Sequence, residues 1–263
     1  MGSENTDTDE MKQFTLWQIM GLWLSATVPM AVMVFGVAPE LIARLNFDAG
    51  LIYWACVIVG MYVQMIVAIL VLIAEGQVWT WARLRKRLWL TMPRHPKKTR
   101  AVPWALVTWT LFGALLCAAI SELFYPILDI PFSATLADWM SPDYASITAL
   151  ATPENAGRWL LVGFAMISSF FNYVIGEALL FHCILLPRMI GVFGRQAWAA
   201  NGVLLGLYHV HKLAFLPTAI LASLPFAFPA QRYKSSLLAI LMHGVEGIIL
   251  IIAVLVVVTG SGL

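Results

Sequence analysis

Runs of about twenty apolar residues, repeated along most of the chain, constrain this sequence more than any motif in it. Leu16 to about Val37, Leu51 to about Ala74, Val102 to about Leu123, Trp159 to about Leu186 and Ser235 to about Val258 are each long enough to cross a bilayer core of roughly 30 Å. Two less regular segments, Ala197 to about Leu216 and Thr218 to about Phe228, bring the count to about seven. The last of these is short and interrupted by Pro225 and Pro229, so it reads as re-entrant or strongly bent. In lipid a backbone has to satisfy its own hydrogen bonds, so such segments fold as helices. The expected architecture is therefore an all-α, polytopic transmembrane helix bundle. Charge content agrees: 11% of the 263 residues are charged, against about a quarter in soluble domains. A soluble enzyme is excluded, and a net charge of +2 gives no footprint for nucleic acid.

Basic residues next to spans stay in the cytoplasm. Half of all Lys and Arg fall between 78 and 100, namely Arg83, Arg85, Lys86, Arg87, Arg94, Lys97, Lys98 and Arg100. Trp79, Trp81, Leu84, Leu88 and Trp89 interleave with them, which suits a helix lying in the interface beside anionic lipid. This loop sets the topology: a disordered cytoplasmic tail over 1–13, N-terminal transmembrane helices over 14–140, and a second bundle over 141–263. The stretch 125–157 carries Asp129, Asp138, Asp143 and Glu154 and no Lys or Arg, so it lies on the other face. Thr152-Pro153-Glu154 reads as the start of the fourth span. The acidic N-terminus is the opposite of a signal-peptide n-region, so the first apolar run is read as an anchor. Cys56, Cys117 and Cys183 have no metal-ligand spacing and read as buried thiols. The expected location is an integral position in a membrane, a bacterial plasma membrane by the short tail and lack of organelle signals.

Within this apolar background the ionisable residues stand out. Glu177 and His182 lie inside Asn172–Arg188, and an ionisable residue at such depth marks a functional site. His209, His211 and His243 follow within or beside apolar segments, and Glu246 sits one turn after His243 on the same face. Glu75 and Glu122 stand at span ends, where hydration is available, and read as structural. A mid-membrane Glu with converging histidines suits a general base and a hydrolytic site. Proton relays and haem ligation use the same residue types. No H-E-x-x-H helix is present, so any ligands would converge from three helices.

Glu177-Ala178-Leu179-Leu180-Phe181-His182 resembles the first motif, E-E-x-x-x-R, of the CPBP family, the CAAX prenyl endopeptidases and bacteriocin-processing-type membrane proteins. Leu205-Gly206-Leu207-Tyr208-His209 resembles its F-x-x-x-H motif, and His243-Gly244-Val245-Glu246-Gly247 its H-x-x-x-N motif. The resemblance implies an intramembrane endopeptidase in which Glu177 and His209 activate water and His243 stabilises the oxyanion. His182, His211 and Glu246 are supporting candidates. Implied substrates are membrane-embedded peptides or lipidated, prenylated proteins at the bilayer. Such proteins are described both as metalloproteases and as metal-free glutamate proteases, so a divalent metal such as zinc, on Glu177, His209 and His243, stays open. Four motif positions differ: Ala178, His182, Leu205 and Gly247 replace Glu, Arg, Phe and Asn. The alternatives are a catalytically impaired scaffold or immunity-type protein, and a small proton-coupled transporter.

Overall fold

The computed structural model describes residues 11–76, 80–95 and 100–260, and within them every long element is helical. The expected tail therefore lies outside the described residues over 1–10, as do Trp79, Lys97 and Lys98. Helix α1 spans Leu16–Arg44 and α2 Ala49–Ala74; the short α3, Trp81–Arg87, precedes α4, Trp104–Ser133. A continuous helical segment over 160–193 is α5, followed by α6 (Ala197–Tyr208), α7 (Leu216–Tyr233) and α8 (Leu237–Thr259). Six stretches are long and apolar enough to span a membrane, the fourth being Leu160–Tyr208. At 1.5 Å per residue those 49 residues would reach far beyond one bilayer. The chain folds back at Gly194, where φ is +52°. Beyond the fold, the Asn201 side chain donates to the Phe181 carbonyl, 2.8 Å away. Counted as passes rather than unbroken helices, the bundle has the seven segments expected.

Prolines determine where the helices outrun the sequence reading. Wide turns with i→i+5 bonding occupy Met33–Val37 just before Pro39, Tyr125–Asp129 around Pro126, and Ser168–Leu185 just before Pro187. Proline removes an N–H and crowds the preceding turn, and a π adjustment lets the freed carbonyls find other donors. Helix α1 thus continues to Arg44, and α4 to Ser133, where loops are expected. Pro225 and Pro229 lie inside an unbroken α7, so the expected short, broken segment is an 18-residue helix. Conversely, Pro153–Asn155 forms only a 3-10 turn, and α5 starts at Leu160. The residues flanking the fold-back are not a loose tail either: Gln13 donates to the Pro187 carbonyl and accepts from the Gly191 N–H.

Two ends of the bundle can be told apart. At one, the guanidinium of the fully buried Arg188 forks onto Glu75 at 2.7 and 3.0 Å, and Arg87 reaches the same carboxylate at 2.6 Å. Arg94 N–H bonds the Tyr233 carbonyl there, which gathers α3, α5 and α7 at this basic end. At the other end Gly157 N–H bonds the Val258 carbonyl, and Arg158 stands 3.7 Å from Asp48. Short 3-10 turns between Asp138 and Asn155 cover that end. Helix α5 runs through the centre between α2 and α8, with Leu180, Phe181, Ile184 and Leu185 fully buried.

The α6–α7 hairpin is the tightest joint. A Cβ at Gly202 would lie 3.0 Å from Leu224 Cα, and one at Gly206 would overlap the backbone of Ile220. Gly202-Val-Leu-Leu-Gly206 is a small-xxx-small stripe, which lets antiparallel backbones approach in lipid. The same joint fixes His209, which caps the end of α6 three residues later.

Candidate active site

A cavity of about 410 Å³ lies between α4, α5, α6, α7 and α8. Glu177, His209, His243 and Glu246 all line it, brought from two helices and the end of a third, as the three motifs require. The wide bonding of Ser168–Leu185 takes more than 3.6 residues per turn, so residues five apart approach one face. That turns Glu177 toward the cavity and keeps His182 close behind it.

Glu177 is 2% exposed. Its Oε2 lies 3.6 Å from His243 Nδ1, and its Oε1 has no hydrogen-bond partner. Glu246 Oε2 approaches the same Nδ1 at 3.3 Å from the wetter side of the helix. The His243 ring is packed between Phe226, 4.5 Å away between centroids, and His182, 5.4 Å away. His209 Nδ1 is 2.9 Å from the carbonyl of Leu205. A carbonyl only accepts, so Nδ1 carries the hydrogen and Nε2 keeps a free lone pair. The local fold has therefore set His209 as an acceptor.

The other sequence candidates separate from this group. His182 is fully buried, stacks on Phe226 at 6.1 Å, lies 5.4 Å from the His243 ring and is not among the residues that line the cavity. His211, 3% exposed, turns into a neighbouring cavity of about 330 Å³ lined by Tyr53, Tyr144 and Tyr173. Its carbonyl accepts from Tyr53 Oη at 2.7 Å. Glu75 is structural, as read from sequence. Glu122, read in the same way, lines the cavity, as do Asp129 and Lys212. The signal for Asp129 was its setting, Ile-Leu-Asp-Ile, an acid inside apolar sequence between two prolines.

The cavity extends from His243 toward the turn 209–215 and the last part of α4, where Tyr125 and Phe215 stack at 5.4 Å. This is the end opposite Arg188 and Glu75. A funnel around Pro225 and Pro229 open to the cytoplasmic face is the expectation from sequence; neither proline is among the residues that line this cavity. As for a metal, among the described residues no three His, Cys, Asp or Glu side chains are grouped to hold one. His209 also spends one ring nitrogen on its own helix. The described residues do not form a ligand set.

Position 247 also departs from the resemblance. Gly247 faces Ser169 of α5, whose Oγ donates to the Gly247 carbonyl at 2.9 Å. A Cβ at Gly247 would sit 2.8 Å from Ser169 Cβ. The slot of the motif's Asn is a helix contact here, not part of the cavity lining.

Fold and site together define an all-α integral membrane protein with a carboxylate–histidine cavity inside the bundle. Within that class, residues 158–249 match the family model described as Rce1-like, Type II CAAX prenyl endopeptidase Rce1-like. The match covers α5 to the first half of α8, and so Glu177, His209 and His243. No curated protein and no solved structure matches the chain.

Proposed function

We propose that the protein is an intramembrane endopeptidase that hydrolyses peptide bonds in membrane-embedded or lipidated substrates. The observation that carries this reading is the meeting of Glu177, His209 and His243 on one cavity inside the family-matched segment. Glu177 takes a proton from a water that His209 Nε2 holds by its other hydrogen. The resulting hydroxide attacks the scissile carbonyl. An N–H of His243 stabilises the oxyanion, and its ring is held for that task by Phe226 and His182. Glu177 then returns its proton to the leaving amine as the C–N bond breaks. Loss of one oxyanion donor typically costs about 10²–10³ in rate, so with Gly247 at the motif's last position turnover is slow.

The test is cleavage of a membrane-peptide library by purified wild type and by Glu177→Ala, each with and without a chelator. Cleavage by wild type alone supports the reading, and chelator sensitivity would bring a metal back. Equal behaviour of two folded proteins would sink it. That outcome favours the second reading, a catalytically impaired scaffold or immunity-type partner. The packing of Gly247 on Ser169 is the observation on its side.

A further inference from the structure

The charge of the cavity is lopsided. Glu122, Asp129, Glu177 and Glu246 line it with Lys212 as the one Lys or Arg among its lining residues. The hydrolytic reading uses Glu177 and places Glu246 beside His243, which leaves Glu122 and Asp129 without a task. Both stand on the second half of α4. Asp129 is fully buried. Its Oδ1 accepts from the Thr218 N–H at 3.0 Å, at the first turn of α7. Capping that helix accounts for one oxygen and for no charge, since an amide oxygen would accept equally well. Oδ2 has no partner, and neither has the buried hydroxyl of Thr218 beside it. An unpartnered carboxylate oxygen at such burial is costly unless something occupies it.

We propose that the outer part of this cavity receives a cationic nitrogen of the substrate, an ammonium or guanidinium, on Asp129 and Glu122. Two sources carry that chemistry, a Lys or Arg side chain near the scissile bond and a free N-terminal amine. An ammonium or guanidinium is donor-only and satisfies Asp129 Oδ2 as no neutral apolar group can. The proposal rests on the hydrolytic reading for the ligand being a peptide, but binding can be measured without turnover.

The experiment uses the full chain in lipid nanodiscs and three fluorescent apolar peptides. The first is N-acetylated with one central lysine, the second is its norleucine twin, and the third is the twin with a free N-terminus. Wild type should bind the first or the third about ten-fold more tightly than the second; which one does so identifies the source. Asp129→Asn keeps the cap on α7 and removes the charge, and Glu122→Gln removes the other charge at an exposed position that leaves the bundle folded. Loss of the preference in either variant supports the proposal. Equal binding of all three peptides by wild type overturns it, as does a preference that survives in both variants. Charge-selective binding without cleavage would retain this inference and reject the hydrolase reading; cleavage of lysine and norleucine peptides at equal KM would do the reverse.

Discussion

Glu177 is the residue on which the chemistry turns, and Glu177→Gln separates its roles. The amide keeps the shape of the side chain in its buried place but cannot accept a proton from water. Turnover in a peptide-cleavage assay should fall by about 10²–10⁴, the usual worth of a general base, with an unchanged melting temperature. At the basic end the expectation is the opposite. Removing Glu75 strands the buried Arg188, and breaking such a pair costs about 3–5 kcal/mol. Glu75→Ala should lower thermal stability in detergent sharply, while Arg87→Ala, which leaves the Arg188 fork intact, should cost far less. Glu177 and His243 were legible in the sequence because an ionisable residue in an apolar run needs a reason. Glu122 and Asp129 were not, because a carboxylate at a span end is read as hydrated unless the helix is known to continue past it.

Helices report the same lesson through proline. Pro39 and Pro126 look like span ends in one dimension, yet wide turns carry the chain beyond both. Where proline and a π turn coincide, the helix bends its hydrogen-bond register rather than stopping. The glycine pair of α6 is equally local and was equally open to reading. Gly206→Leu should prevent the α6–α7 hairpin from closing, lowering both folded yield and the melting temperature, whereas Gly244→Ala, with open space at its Cβ, should be silent. Gly247→Asn, which restores the motif, should not raise activity by itself, because its Cβ meets Ser169. Combined with Ser169→Gly it has room, and peptide cleavage by the double variant measures whether the missing donor limits the rate.

For the whole molecule, the bundle and its seven passes followed from hydrophobic runs and the bilayer alone. The direction in which the cavity opens did not, since it depends on α7 staying whole through two prolines and on where the 209–215 turn lies. If basic residues mark the cytoplasmic face, a cavity that opens by the 209–215 turn opens on the other side. A cysteine placed at Lys212 in an otherwise cysteine-free chain should react with a membrane-impermeant maleimide added to intact cells. Labelling only after cell lysis would place the mouth in the cytoplasm.

Helix α6 has 12 residues, so it rises only about 18 Å, against a hydrocarbon thickness near 30 Å. Most of this helix is buried in the bundle, but where Val203 is exposed the bilayer meets an element shorter than itself. Either the lipid thins or the polar turn bearing His209 and Lys212 is drawn well below the headgroups, and both bring water toward Glu177. The depth at which the protein can meet a substrate is thereby a property of the surrounding lipid as well as of the chain, and acyl-chain length becomes a variable of its chemistry.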